Sequence, residues 1–332
     1  MLTADRPLFA RWPKLQAKLA CEMLADLPTP VRTLEKLHPN AWVKCDDMSH
    51  SEYGGNKVRK LEFILPGLQE RKIRHVITIG GVGSNSGVAV ALLCKRYGMA
   101  CTILVFHQPA SETVEKNHAL MRSCGARLVY VKTAVAAGLL YYLNTARLKK
   151  DTLFLWAGCS TTEAVFAYVN AMMELQEQVN AGLCPLPASI YVAVGSCSTV
   201  AGLTLGCALL NLPVTIKGVR VAPSHAGWIP ACTDSIIKKQ MKAALMLLSQ
   251  AYPEYSGFPL PATHLLQDYF GEGYGVETAA GARAMHIAKQ RAGLSLEPTY
   301  TAKAFAAFLD GLDQNSQATL FWNTHAGAVH SE

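Results

Sequence analysis

Along the chain, short apolar runs alternate with stretches in which apolar residues recur at helical spacing, and the two kinds of segment take turns almost to the end. After a proline-braced extended segment, Leu27-Pro28-Thr29-Pro30-Val31, residues 41–44 read as a strand and Asp46-Asp47 as plain turn chemistry. A helical stretch over 53–72 follows, and Pro66 is expected to bend or end it. Strands over 75–79, 101–106, 127–131 and 152–156 then alternate with helices over 88–97, 111–124 and 136–148. Ser111 stands where an N-cap belongs and Gly125 where a stop belongs. A second series has a helix over 163–180, a strand over 189–193, a helix of small and apolar residues to Leu210 and a strand over 214–221. Residues 230–250 read as helix and 252–276 as irregular chain rich in aromatic residues, proline and glycine. Helices over 277–293 and 303–312 and a strand over 319–323 close the pattern. Such alternation predicts an α/β fold with mostly parallel sheets wound with helices, and 332 residues suffice for two lobes.

One stretch departs from ordinary helix chemistry. Gly54, Gly55 and Asn56 lead into the apolar-periodic run Leu61, Ile64, Leu65, Leu68, a loop feeding a helix with Asn56 near its N-cap. Lys57, Arg59 and Lys60 fall in the first turn, where the helix dipole disfavours each cation by roughly 0.3–1 kcal/mol. The placement makes sense if an anion docks there, or if one lysine is held neutral as an imine. Lys57 and Lys60, three apart, share a face and can address one ligand. The alternative is a solvated basic helix start with its lysines snorkelling.

Three further turns of small residues each join a strand to a helix: Gly80 to Gly87, Ala157 to Thr162, and Gly195-Ser196-Cys197-Ser198-Thr199. Each exposes backbone N–H groups at a helix start, a ready anion site. The last adds hydroxyls that suit a phosphate, with Cys197 a small filler rather than a nucleophile; tight strand-to-helix packing is the bland reading. Ser84 and Asn85 sit at the tip of the first turn, where a structural cap is again the alternative. A nicotinamide enzyme is a second possibility for Gly81 to Gly87, but the following strand ends Val105-Phe106-His107-Gln108 with no acid for a ribose. No Gly-Lys-Ser/Thr phosphate loop follows either turn.

Composition narrows the class. Half the residues are hydrophobic and 17% charged, and the net charge of +7 is spread without blocks, which argues against a nucleic-acid partner. Ten singly spaced cysteines without zinc spacing read as buried thiols, so we expect a cytoplasmic protein and no metal. The first eleven residues lack the apolar core of a signal peptide, and no stretch is long and apolar enough for a membrane span.

The run Gly54-Gly55-Asn56-Lys57-Val58-Arg59-Lys60-Leu61-Glu62 resembles the lysine motif of the 1-aminocyclopropane-1-carboxylate deaminase/D-cysteine desulfhydrase family. Those are pyridoxal-phosphate (PLP) enzymes of the tryptophan synthase β-subunit fold, PLP fold type II. Gly80 to Asn85 resembles the family's substrate-carboxylate loop, Ala157 to Ser160 and Gly195 to Thr199 its later loops, and Gly273-Tyr274-Gly275 and Pro298-Thr299-Tyr300-Thr301-Ala302-Lys303 its C-terminal elements. The resemblance implies a Schiff base on Lys57, with the cofactor phosphate held by Lys60 and by Gly195, Ser196, Cys197, Ser198 and Thr199. It implies that Thr301 faces the pyridine nitrogen, that Ser84 and Asn85 bind the substrate carboxylate, with Ser84 a proton-transfer candidate, and that Tyr274 and Tyr300 line the pocket. One tyrosine could act on a proton or leaving group if its pKa is lowered near Lys57; each alone could equally be an aromatic core residue.

The chain also departs from that pattern, with Gly83 where the family often has Gln, Glu163-Ala164-Val165-Phe166 where it has smaller residues, and Thr324-His325-Ala326-Gly327 in place of a more glycine-rich turn. We place these departures on the substrate side. The expectation is a smaller lobe over 58–157 inserted in a larger one of 1–57 plus 158–332, and a homodimer acting on a small amino acid. The reaction expected first is α,β-elimination from D-cysteine or a related β-substituted D-amino acid; deamination of 1-aminocyclopropane-1-carboxylate (ACC) is second, and a relative that binds PLP without turnover third.

Overall fold

The computed structural model describes residues 6–312 and 316–325. In chain order its first elements are α1 (Pro7–Arg11), β1 (Val31–Thr33), β2 (Ala41–Cys45), α2 (Asn56–Glu70), β3 (His75–Gly81), α3 (Asn85–Arg96), β4 (Ala100–Phe106), α4 (Glu112–Ser123), β5 (Arg127–Val131), α5 (Ala134–Leu143) and β6 (Thr152–Leu155). There follow α6 (Thr162–Asn180), β7 (Ser189–Val194), α7 (Ser198–Leu209), β8 (Thr215–Arg220), β9 (His225–Ala226), β10 (Ile229–Pro230), α8 (Asp234–Ala251), β11 (His264–Leu266), α9 (Ala279–Ile287), α10 (Thr301–Leu312) and β12 (Thr319–Asn323).

Two sheets organise these elements. The four strands between residues 75 and 155 form one sheet, in the order β5-β4-β3-β6, every pair parallel. The other has the order β1-β2-β12-β7-β8-β11 and is parallel except where edge strand β1 meets β2. Near its centre β12, the last strand among the described residues, joins β2 to β7. All six residues of β7 and all five of β12 are buried, as expected of parallel strands covered by helices on both faces. Helices α6 and α7 pack closely against each other: a Cβ on Gly202 would lie 2.4 Å from the Val165 carbonyl oxygen and from Tyr168 Cβ.

Several elements differ from the sequence expectation. Helix α2 runs through Pro66 to Glu70 without ending. Proline leaves the carbonyl of Glu62 without its helical donor, and the backbone N–H of Glu22 takes that place at 2.8 Å, from a distant segment. The region 252–276 contains the short edge strand β11, and residues 225–230 form the small hairpin β9–β10. Asp46 is more than a turn residue, since its side chain is fully buried. Residues Ala164, Val165 and Phe166, in the first turns of α6, are buried in the core and do not border the cleft, so this departure from the family pattern is a packing feature and not a substrate-side one. Ala326 and Gly327 of the C-terminal turn lie outside the described residues.

Candidate active site

A cleft of about 440 Å³ gathers the C-terminal ends of β3 and β7, the first turn of α2 and the loop before α10. At its floor, α2 begins after Gly55, whose φ of +99° suits glycine. Asn56 is thus the first helical residue and not the cap. Its amide is spent elsewhere: Oδ1 accepts from Lys57 Nζ at 2.6 Å, and Nδ2 donates to Thr199 Oγ1 at 3.2 Å. Lys60 Nζ donates to the carbonyl of Gly158 at 3.1 Å and stands 6.0 Å over the Tyr168 ring.

Both lysines border the cleft, Lys57 partly exposed to it and Lys60 buried. Neither pairs with a carboxylate among the described residues. Burial pulls the Lys57 ammonium below the ordinary lysine range, against the hold of Cys159 and Glu297. Burial, with repulsion from Lys57 added, pulls Lys60 well below it. Arg59 points away, into a buried ion network with Asp46 and Glu174.

The turn of small residues after β7 delivers backbone N–H groups to the same place. Cys197 adopts φ +71°, a left-handed conformation uncommon for a side-chain-bearing residue, and α7 starts directly after it. Gly195, Ser196, Cys197 and Thr199 border the cleft; Ser198 does not, and its hydroxyl meets that of Ser160 at 3.1 Å. Ser160 also donates to the Ser196 carbonyl at 2.9 Å, tying the turn to the 3₁₀ turn Ala157–Cys159. The two turns approach so closely that a Cβ on Gly158 would fall 2.1 Å from Ser196 Oγ.

On the opposite wall, Ser84 caps α3, its Oγ accepting from the N–H of Gly87 at 3.2 Å and meeting Ser86 Oγ at 2.9 Å. The cap reading of Ser84 and its place in the cleft therefore hold together. Asn85 Oδ1 accepts from Asn117 Nδ2 at 2.6 Å and from Tyr53 at 3.2 Å. Gly83 has no room for a side chain, since a Cβ there would meet Val114 Cα at 2.7 Å. Its amide donates to Gln108 Oε1 at 3.3 Å, and its carbonyl accepts from Asn117.

At the far end, the Tyr274 and Tyr300 hydroxyls meet in a short hydrogen bond inside the cleft. Burial pushes both phenols up, Tyr274 to about 12, so the expected lowering near Lys57 does not occur and both stay protonated at neutral pH. Thr301 heads α10 but does not border the cleft; its Oγ1 accepts from the Glu297 N–H at 2.9 Å and lies 3.3 Å from Glu297 Oε1. Glu297 does border it. Its carboxylate accepts from the N–H groups of Thr299, Tyr300 and Thr301, each at 2.8 Å. Burial nonetheless pushes the carboxyl up. Sequence reasoning placed Asn56 in the lysine motif only as a residue near the cap and missed Gln108, Asn117 and Glu297; the first two of these are joined to the site by contacts distant in sequence, and Glu297 by the N–H groups that follow it.

This α/β cleft thus brings two lysines, neither in an ion pair among the described residues, to face N–H groups and hydroxyls at a helix start, an arrangement suited to an anionic ligand. The chain belongs to the pyridoxal-phosphate dependent enzyme family, whose model matches residues 23–322. It is 26% identical over 311 residues to a Thermotoga maritima protein provisionally named as an ACC deaminase, across 91% of this chain and 94% of the relative. It is 28% identical over 319 residues to the D-cysteine desulfhydrase of Salmonella paratyphi B, across 92% and 90%. A crystal structure of an ACC deaminase homologue superposes with a TM-score of 0.79 at 25% identity, over 96% of this chain and 94% of that one. The protein is a PLP-dependent enzyme related to both activities, and PLP is its cofactor; the nicotinamide alternative is set aside.

The side chains present fit that group. Lys57 and Lys60 border one cleft without a carboxylate partner among the described residues, which leaves one amine for an aldehyde and one for an anion, and the turn before α7 offers N–H donors to the anion. Among the described residues, no cluster of His, Cys, Asp or Glu could hold a metal ion, and no helix is long and apolar enough to cross a membrane.

Proposed function

We propose that this enzyme removes a β-substituent and the amino group from a small amino acid by α,β-elimination, with D-cysteine or a related β-substituted D-amino acid as substrate and pyruvate, ammonia and the leaving group as products. One observation carries the reading: Lys57, Ser84, Tyr274 and Tyr300 converge on a single cleft from three distant parts of the chain. PLP, when bound, supplies an electron sink for charge developing at the substrate α-carbon. Lys57 Nζ, its pKa lowered by burial, is the nucleophile that attaches the cofactor and the base for the α-proton. Lys60 and the N–H groups of Gly195 to Thr199 hold the phosphate. Glu297, seated on three N–H groups at the start of α10, and Thr301 behind it form the polar wall for the pyridine nitrogen.

The start of α3, with Ser84 and Asn85, orients the substrate carboxylate by its N–H groups. The two phenols, joined by a hydrogen bond inside the cleft, are placed to donate a hydrogen bond to the departing sulfur. Deamination of ACC is the second reading, favoured by the superposition on an ACC deaminase homologue. Ten free thiols, nine of them buried, support a reducing compartment; we also expect a homodimer with lobes divided near residues 57 and 158, checked by sedimentation and limited proteolysis.

Borohydride reduction followed by mass spectrometry should find a pyridoxyl adduct on Lys57 and none in Lys57→Ala. The same variant should lose kcat by at least the ~10²–10⁴-fold that a positioned proton-transfer group contributes. Pyruvate release across D- and L-amino acids and ACC decides the substrate; an adduct on another lysine would overturn the assignment of roles.

A further inference from the structure

From the inner turns, the cleft continues outward past the substrate end to a rim unlike its floor. One side of the rim is α5, which presents Val135, Leu139 and Tyr142; the other is the hairpin β9–β10, which presents Trp228 and Ile229. These five apolar side chains are between 38% and 81% exposed, so they are not filling a core. The rim is nonetheless narrow, since a Cβ on Gly227 at the hairpin tip would touch Val135 Cγ2 at 3.8 Å. Two histidines aside, the charged side chains that border the cleft are Lys57, Lys60 and Glu297, all of them at the floor. Among the described residues, no Asp, Glu, Lys or Arg borders the rim, and His225 on β9 is the one imidazole there that a charged substrate side chain could meet. A cleft of about 440 Å³ is in the range that buries drug-sized ligands.

We propose that the rim formed by Val135, Leu139, Tyr142, Trp228 and Ile229 is a specificity site for a bulky apolar group carried on the substrate's β-sulfur. The preferred substrates are thus S-alkyl or S-aralkyl cysteines rather than cysteine itself. For its chemistry the proposal rests on the elimination reading; for binding it stands on the rim alone. The reaction is redox-neutral: the Cα–H and Cβ–S bonds break, the sulfur leaves with a proton as a free thiol, and water enters as the remaining three-carbon fragment is hydrolysed to pyruvate and ammonia. The occupant follows from continuity with the cleft, since the rim lines the same cleft as the start of α3 and Lys57, so a long β-substituent on an amino acid seated between them can extend to it.

The test uses the PLP-loaded enzyme with both enantiomers of cysteine and S-benzylcysteine, following pyruvate, and with alanine and homophenylalanine, following binding by calorimetry. We expect kcat/KM for S-benzylcysteine to exceed that for cysteine of the same hand by about 10-fold or more, the usual reach of an apolar pocket. Homophenylalanine should bind at least as many times more tightly than alanine. Leu139→Asp, at a half-exposed position where folding is not at stake, should collapse both ratios towards one, mainly through KM. Turnover of cysteine with no advantage for the benzyl substrate, or equal binding of alanine and homophenylalanine, overturns the rim and leaves the elimination reading intact. Pyruvate from no substrate, with the homophenylalanine preference still present and sensitive to Leu139→Asp, overturns the reaction and keeps the rim.

Discussion

Helix α2 separates two groups of buried cations that the protein treats in opposite ways. On its inner face Arg59 donates to Asp46 Oδ1 at 2.9 Å and to both oxygens of Glu174 at 2.8 and 2.9 Å. Lys44 Nζ joins them, reaching Glu174 Oε1 at 2.5 Å and Gln178 Oε1 at 2.6 Å. Tyr168 and Trp322 complete the set by donating to Asp46 Oδ2 at 2.7 and 2.8 Å. Two cations meet two carboxylates, and those carboxylates are held by several donors. On the cleft face Lys57 and Lys60 have an amide oxygen and a carbonyl for partners, and no acid. Tyr168 stands between the groups, its ring under Lys60 and its hydroxyl on Asp46. The difference teaches what buried charge is for: matched within the chain it fixes structure, and left unmatched it waits for a ligand to match it.

The largest expected effect breaks the matched side. Arg59→Met leaves Asp46 and Glu174 buried without their main cation and should cost about 3–5 kcal/mol of stability, seen as a lower denaturant midpoint. Lys60→Met, a few ångströms away, removes a buried charge that had no partner. Cofactor-free protein carrying it should be as stable as the parent or more so, while PLP affinity falls. Equal losses from both substitutions would erase the distinction.

This contrast marks the limit of what the sequence makes legible. The three cations in the first turn of α2 stand out by position alone, and helical spacing already puts Lys57 and Lys60 on one face. The run of strands and helices is equally readable, because buried parallel strands are continuously apolar and the helices carry caps such as Ser111 and Thr161. Nothing local reveals that Arg59 belongs to the other group. Its partners lie 13 and 115 residues away and are chosen by how α2 docks on α6 and β2. The same reason hides Gln108 and Asn117, which brace Gly83 from 25 and 34 residues away, and Glu22, which frees α2 from its proline. The β9–β10 hairpin escapes notice because strands of two residues carry no period.

A smaller effect sharpens the comparison through pH. In cofactor-free protein, Lys57 and Lys60 titrate below their ordinary value of 10.5. Between their folded values and that one the unfolded chain binds more protons, so stability rises with pH through this window. Glu174 behaves the other way at the acid end. Burial alone would raise its carboxyl, but Arg59 and Lys44 outweigh burial and hold it at about 2 against an ordinary 4.5. Its contribution is present above 4.5 and is lost as the pH falls towards about 2. Denaturant midpoints against pH should therefore show an alkaline rise that Lys60→Met flattens and an acid loss that it leaves alone.

The smallest effect asks whether an anion alone satisfies the unmatched side. Inorganic phosphate offers the charge and the oxygens of the cofactor's phosphate without its aldehyde, so on the proposed assignment it should engage Lys60 and the turn Gly195 to Thr199 but cannot react with Lys57. A ligand that binds only the folded state at ten times its dissociation constant stabilises by about 1.4 kcal/mol. Cofactor-free protein should gain roughly that from phosphate, measured against sodium chloride at equal ionic strength to remove general screening. Lys60→Met should lose most of the gain. The matched group has no free donor for phosphate, so the Asp46 and Glu174 network should contribute nothing to it. If Lys60→Met responds to phosphate as strongly as the parent, the ion is binding on the surface, and the unpaired lysine is not the reason this cleft accepts a phosphorylated cofactor.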